Sequence, residues 1–381
     1  MTPVSRRSQE IKSFIVMDVL ERAHELERQG RDIIHMEVGE PDFPTSSSIS
    51  EAAVEAIKRE KTHYTHSLGL LELRKAISEH YFNKYNVNID PERVVITSGT
   101  SPALFMIYSA LLEKGDEIIL SNPHYPCYPN FAHFLNAVPS FVNVYEEDGF
   151  QYRTSEITKK ISAKTKAILI NSPSNPTGNL LSPDKMGVIA GMGPYIISDE
   201  IYHGLVYGEK EHSILEFTDN AFVVNGFSKL HAMTGWRLGY MIAPPEFIRP
   251  IQKMQQNFYI SAGSVAQWAG VAALTRAEKD IEKMRSVYNE RRLYMIGRLK
   301  KMGFGLTIEP KGAFYVFVNA EHISKNSYDL SFEILEKAGV GVTPGIDFGS
   351  NGEGYLRFSY ANSIENIAEG LGRIEKFLEE R

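Results

Sequence analysis

The sequence predicts an α/β fold: a large domain with a mainly parallel, doubly wound sheet covered by helices, and a smaller α+β domain formed by the C-terminal part with the N-terminal segment. Three observations predict it. Short β-branched runs, apolar on both sides of the pleat, recur at residues 94–97, 117–120, 140–144, 166–170, 195–198, 221–224 and 238–243, as strands covered on both faces do. Helical stretches or longer loops separate most of them, which makes parallel neighbours the economical topology, with the last hairpin-like step a candidate for antiparallel pairing. At 381 residues the chain is also long for one domain, so two associated domains are expected.

The elements follow in order. After a polar arm, Val16, Val19, Leu20, Ala23 and Leu26 recur at helical spacing and stop at Gly30. Residues 33–38 read as a short strand running into Gly39-Glu40-Pro41-Asp42-Phe43-Pro44, a turn whose prolines and glycine fix the backbone. Helices are expected at 51–59 and 71–85, with a polar aromatic loop at 62–70 between them. His63 and His66 in that loop have metal-like spacing but no carboxylate or cysteine at a recognisable offset, so no metal site is read there. Residues 94–97 lead through Ser98-Gly99-Thr100-Ser101 into a helix, with Pro102 expected at its first position and Gly115 beyond its end. Residues 250–283 read as helical without a strong break, and 284–302 as a long charged amphipathic helix. Strands at 314–319 and 354–360 then alternate with helices at 331–338 and 365–380. The expected division is an N-terminal arm and part of the small domain at 1–45, the large domain at 46–285 and the small C-terminal domain at 286–381. Gly339-Val340-Gly341 lacks the final glycine and following helix of a dinucleotide fingerprint.

Composition narrows the function. Apolar residues make up 43% and charged residues 23%, ordinary for a globular protein. A formal charge of −6 and a pI near 6.0 leave no electrostatic footprint for nucleic acid or an anionic membrane. A single cysteine, Cys127, excludes an intrachain disulfide and a multi-cysteine metal site. With no signal-like apolar segment in residues 1–12 and no run long enough to span a bilayer, a cytoplasmic location is expected.

The residues that carry chemistry fall at the carboxyl ends of predicted strands, where ligands of such sheets bind. Ser228-Lys229 follows one strand, and Arg237 lies across a short loop. A lysine amine attacks an aldehyde when it is held in place and partly deprotonated. Ser228 and Arg237 beside it suit an anionic group such as a phosphate. A phosphate-bearing aldehyde, pyridoxal phosphate, is the matching guest, as a Schiff base on Lys229. The competing reading is a solvated loop lysine beside a surface arginine. The turn Gly99, Thr100, Ser101 at a helix start suits a phosphate too, although an ordinary βα turn has the same residues. Asp199 at a strand end can pair with a pyridine nitrogen, Asn175 and Tyr202 with the ring's 3′-oxygen, and Tyr125 can stack on the ring. Arg357, a cation in an apolar strand, needs an anionic partner, either a substrate carboxylate or an internal salt bridge.

Taken with VGEPDF, HYTHSLGLLELRKAI, TSGTSPAL, NSPSNPTG, ISDEIY, NGFSKLHAMTGWRLGY, TPGIDFG and GYLRFSYA, the sequence resembles the class I/II pyridoxal-phosphate-dependent aminotransferases of the fold type I, aspartate-aminotransferase-like superfamily. The motifs run in order over nearly the whole chain. The resemblance implies that Lys229 forms the Schiff base and, once displaced by substrate, shuttles the proton between the substrate Cα and the cofactor's C4′. It implies that Gly99, Thr100, Ser101, Ser228 and Arg237 hold the phosphate, that Tyr64 reaches in from a neighbouring subunit of a homodimer, and that Gly39, Asn175 and Arg357 take the substrate carboxylate. Ser101-Pro102 stands where one aspartate-preferring subgroup has a lysine, and Tyr125 where some relatives have tryptophan. The expected reaction is reversible transfer of an amino group from an L-amino acid to a 2-oxo acid. A lyase or decarboxylase on the same scaffold is the alternative, and a non-enzymatic regulator would need a basic DNA-binding extension that the sequence does not carry.

Overall fold

The computed structural model describes residues 4–381, so the first three residues of the expected polar arm lie outside the described residues. The strands, in chain order, are β1 (Ile34–His35), β2 (Val94–Thr97), β3 (Glu117–Asn122), β4 (Val138–Asn143), β5 (Thr165–Asn171), β6 (Tyr195–Asp199), β7 (Ala221–Gly226), β8 (Gly239–Ile242), β9 (Tyr315–Asn319), β10 (Val340–Gly341), β11 (Thr343–Pro344) and β12 (Tyr355–Ser359). Seven of them form the central sheet in the order β2-β8-β7-β6-β5-β3-β4. All its pairs are parallel except those of β8, which is antiparallel to both β7 and β2.

Alternation along each strand decides the two layers. Ile168, Ile170, Val223 and Ile242 face one cluster, with Ile49 and Ala53 of helix Ser47–Lys58, Leu73 and Ile77 of helix Leu71–Tyr85, and Ala269 and Ala273 of helix Ser264–Arg276. Their neighbours Ala167, Leu169, Phe222, Val224 and Met241 face the other, with Leu104 and Ile107 of helix Thr100–Leu111, Tyr128 and Ala132 of helix Cys127–Phe134, and Ile251 of helix Pro245–Phe258. A period of two, apolar on both sides, is what a sheet covered on both faces requires.

The register sets the site. Asn171 lies beside Asp199, and Asp199 beside Val224, so β5, β6 and β7 end on one edge of the sheet. Gly226 and Thr97 both pair with Gly239, which brings the ends of β2, β7 and β8 together.

A second layer of structure follows. β11, β12 and β9 form an antiparallel sheet, and β1 pairs in parallel with β10 through Ile34↔Val340 and His35↔Gly341. The N-terminal segment thus joins C-terminal strands. Their core includes Tyr288 and Met295 of helix Glu278–Lys301, Ile334 of helix Ser327–Ala338 and Ile367, Leu371 and Ile374 of helix Ile364–Glu379.

Several local expectations are corrected. The helical run expected over 250–283 is broken at residues 259–263, where Ile260 sits at φ 65° and Gly263 caps the next helix. The reason is tertiary: the helix before the break packs on one face of the sheet and the helix after it on the other. The long helix starts at Glu278 rather than at 284 and runs to Lys301. Pro102 is the third residue of its helix, not the first, because Gly99 is the N-cap and the helix begins at Thr100. The strand expected over 33–38 shrinks to Ile34–His35, and the helices expected at 51–59 and 331–338 begin one turn earlier, at Ser47 and Ser327.

Candidate active site

The converging strand ends open onto a cavity of about 420 Å³. Thr100, Ser101, Tyr125, Asn175, Asp199, Tyr202, Ser228, Lys229, Arg237, Gly39 and Arg357, all singled out in the sequence, line it. Gly99 stands directly behind Thr100. Tyr64 is not brought in: it is 82% exposed, on a loop outside this cavity. His63 and His66 are exposed, and neither joins a metal-like cluster among the described residues.

One end of the cavity is a cradle for an anion. The helix Thr100–Leu111 points its N-terminus there, with free backbone N–H groups and the positive end of its dipole. Close packing of glycines makes the cradle. Gly99 has φ +99°, and a Cβ on it would lie 2.6 Å from Arg237 Nη2; a Cβ on Gly239 would lie 2.8 Å from Gly99 C and 2.9 Å from Thr100 N. Arg237, itself in the left-handed region at φ 52°, is steadied by its Nη1–H donating to Thr234 O at 2.9 Å. Ser228 is buried at the same end.

Lys229 lies next along the wall, donating from Nζ to Gly39 O at 2.5 Å. Burial pulls its amine down to about 8; exposed Glu40 opposes this, Arg357 and Arg237 reinforce it, and Asp199 opposes it. Opposite charges are thus arranged around a base that is partly neutral near pH 7. Asp199 is 5% exposed, and its carboxyl is pushed up to about 6 by burial against the contrary pull of its hydrogen bonds and of Lys229. The Tyr128 hydroxyl donates to Asp199 Oδ2 at 2.7 Å and the Ile201 N–H to Oδ1 at 3.2 Å, fixing the carboxyl plane. The next residue, Glu200, is buried and accepts from Ser198, Ser213, Tyr81 and the Ile214 N–H, which anchors the turn.

The far wall comes from the C-terminal strands. Arg357 is 2% exposed, with Nη1 donating to Asn175 Oδ1 at 2.8 Å and Nη2 to Glu37 O at 2.5 Å and Thr343 Oγ1 at 3.1 Å. Its guanidinium lies 4.2 Å from the centre of the Tyr315 ring. No carboxylate makes an ion pair with it among the described residues, so the internal salt bridge left open above is not formed, and its Nε is buried without a partner. A buried guanidinium of this kind calls for an anion from outside. Tyr202 and Tyr315 share a hydroxyl hydrogen bond of 2.9 Å.

Some contributors escaped the sequence reading. Tyr128 stands three residues after Tyr125, in the first turn of helix Cys127–Phe134, a closeness in sequence that could have flagged it. Tyr315 gave no local signal; Asn171 opens the NSPSNPTG run, but its part in holding Asn175, whose N–H donates to its Oδ1 at 2.8 Å, is visible only in the fold. Phe14, Val16, Met17 and Leu20, at the start of helix Ile15–Arg28, also line the cavity. Buried Asp347 holds that helix start by accepting from the N–H groups of Ile15 and Val16 at 2.9 and 3.2 Å.

Comparison with known proteins identifies the architecture. Residues 31–374 match the model of the family "Aminotransferase class I and II". The chain belongs to that family. It is 44% identical to the (5-formylfuran-3-yl)methyl phosphate transaminase of Methanocaldococcus jannaschii, over 98% of this chain and 99% of that one. It is 40% identical to the aspartate aminotransferase of Pyrococcus horikoshii, over 97% and 95% of the two chains. The structure of Thermus thermophilus aspartate aminotransferase with maleate superimposes with a TM-score of 0.95 at 35% identity, covering 99% of this chain and all of that one. This aminotransferase therefore uses pyridoxal 5′-phosphate, and the lyase or decarboxylase alternative is not favoured. The residues present fit that cofactor: a glycine-lined cradle for its phosphate, a buried carboxyl for its ring nitrogen and a depressed lysine for its aldehyde. Among the described residues no helix of the aminotransferase is long and apolar enough to cross a membrane.

Proposed function

We propose that Lys229 would hold pyridoxal 5′-phosphate through its aldehyde and, once the substrate's amino group takes its place and frees the amine, moves the proton in transamination between an L-amino acid and a 2-oxo acid. When bound, the cofactor supplies an aldehyde and an electron-withdrawing ring. The remaining work belongs to the chain. Lys229 takes the proton from the substrate Cα and returns it at the cofactor's C4′, a task suited to an amine that burial has lowered to about 8. Asp199, steadied by Tyr128, keeps a proton at the ring nitrogen, and Asn175 and Tyr202 orient the 3′-oxygen. Gly99, Thr100, Ser101, Ser228 and Arg237 bind phosphate, while Tyr125 covers the ring. Arg357 binds the substrate α-carboxylate with Gly39 and Asn175, by a charge-assisted fork.

The observation that carries this reading is a partly buried lysine with a lowered amine, in one cavity with a buried aspartate and an arginine that no carboxylate pairs among the described residues. Borohydride reduction of the cofactor-loaded chain, followed by peptide mapping, tests it. The label is expected on Lys229 and absent from Lys229→Ala. A label on another lysine, or undiminished transamination by Lys229→Ala, refutes the assignment.

We further assign a homodimer in which Tyr64 serves the phosphate of the second copy; its exposure on a loop outside its own cavity supports this. Tyr64→Ala should weaken cofactor retention although it touches nothing in its own cavity. Light scattering that returned a monomer with full activity would refute the dimer. The large domain is assigned to 46–285 and the small one to 1–45 with 286–381. The lone free cysteine, Cys127, supports a reducing, cytoplasmic setting.

A further inference from the structure

We propose that His24, Glu27 and His35, outside the catalytic cavity, form a site for one divalent transition-metal ion of the zinc class. His24 and Glu27 are three residues apart on helix Ile15–Arg28 and so share a face, and His35 comes from β1 beside it. One potential ligand atom from each lies within 4.8 Å of the other two. His35 Nε2 is 3.1 Å from Glu27 Oε1, and His24 Nε2 is 4.0 Å from Glu27 Oε2. An ion with bonds of about 2.0–2.2 Å in a tetrahedron places its donors about 3.3 Å apart, so rotation of partly exposed side chains closes this triad around it. Two imidazoles and one carboxylate select borderline ions such as Zn²⁺, Co²⁺ or Ni²⁺ over Mg²⁺ and Ca²⁺, which favour all-oxygen sites. The side chains of His24, Glu27 and His35 are 50%, 40% and 28% exposed, which leaves a fourth position to water.

The residue behind the triad supplies the second observation. Glu37 is fully buried, and its Oε1 lies 2.6 Å from His35 Nδ1. Without a metal both ring nitrogens of His35 donate to carboxylates, Nδ1 to Glu37 and Nε2 to Glu27; an ion that displaces the Nε2 proton leaves the Nδ1–H on Glu37, the carboxylate–histidine pairing that orients metal-bound imidazoles. Glu37 Oε2 is buried without a hydrogen-bond partner. Gly341 makes room for it, since a Cβ there would lie 2.0 Å from that oxygen. A buried carboxylate so incompletely satisfied calls for positive charge at His35, which the proton on Nε2 supplies in the metal-free chain and an ion in its place would supply when bound. The site would tie the helix whose first turn lines the cavity to β1, and the carbonyl of the same Glu37 accepts from Arg357.

The test uses the untagged, full-length, cofactor-loaded chain stripped of metal and titrated with ZnCl₂ by calorimetry, and with CoCl₂ by visible absorption. One ion per chain is expected, with a cobalt ligand-field spectrum that reports imidazole nitrogen. His24→Gln and Glu27→Gln, both at partly exposed positions, should each weaken binding by more than about tenfold and abolish any zinc-induced rise in Tm. Binding that neither variant weakens, or no stoichiometric binding at all, overturns the proposal and leaves His35 as a proton-bearing bridge between Glu27 and Glu37.

Discussion

The depressed amine of Lys229 can be measured before any substrate is known. At about 8, roughly one lysine in ten is neutral at pH 7, against about one in 2,500 for an ordinary lysine near 10.4, a gain of about 200-fold in the reactive form. The sign is fixed by the charge type: burial penalises the ammonium form, so the group loses its proton at lower pH than a solvated lysine. Trace acetylation of the cofactor-free chain across a pH series, with a lysine peptide in the same tube, reads this directly by mass spectrometry. Labelling at Lys229 should reach half its plateau near pH 8, more than two pH units below the peptide. The neighbours then provide a signed check. Glu40→Gln removes the anion that holds the proton on, so the midpoint should fall; Arg357→Met removes a repelling cation, so it should rise. Glu40 is exposed and water screens it, which limits its effect to less than about one pH unit. A Lys229 midpoint at or above that of the peptide, or shifts of the same sign in both variants, would refute the account.

Three further outcomes follow from the geometry. Tyr128→Phe leaves Asp199 Oδ2 without its 2.7 Å donor, so urea unfolding should show a loss of about 1–3 kcal/mol, and fluorescence should show weaker cofactor retention. Arg357→Met should raise the KM for the amino donor by about 10- to 150-fold, equivalent to about 1.5–3 kcal/mol of charged hydrogen bonding, with kcat/KM falling at least as far; an unchanged KM would place the carboxylate elsewhere. Gly99→Ala forces a Cβ against Arg237 Nη2 at a φ of +99°, so equilibrium dialysis should find faster loss of cofactor from a chain whose circular dichroism is unchanged.

Much of the site was legible because its residues sit in short, locally coded units. A βα turn with Gly99, Thr100 and Ser101, a strand ending in Asp199 and a strand delivering Ser228-Lys229 each read from a handful of neighbours. Tyr128 was not legible as the support of Asp199, because the two are 71 residues apart and meet only through the packing of helix Cys127–Phe134 beneath the sheet. The same holds for Tyr315, which reaches Tyr202 from 113 residues away. Arg357 shows the boundary clearly: its position in an apolar strand announced a need for an anion, but only the fold showed that no internal carboxylate meets it among the described residues.

By itself, then, the sequence determined most of the elements, the mostly parallel character of the sheet and which residue types stand at the strand ends, since hydrophobic period, turn residues and strand termini are properties of contiguous residues. The tertiary structure alone decided where helices change faces, as at Ile260, and which distant side chains hold Asp199 and Arg357 in place. It also brought His24, Glu27 and His35 together, because a strand of two residues gains its partner only when residues 34–35 meet 340–341 across the whole length of the chain.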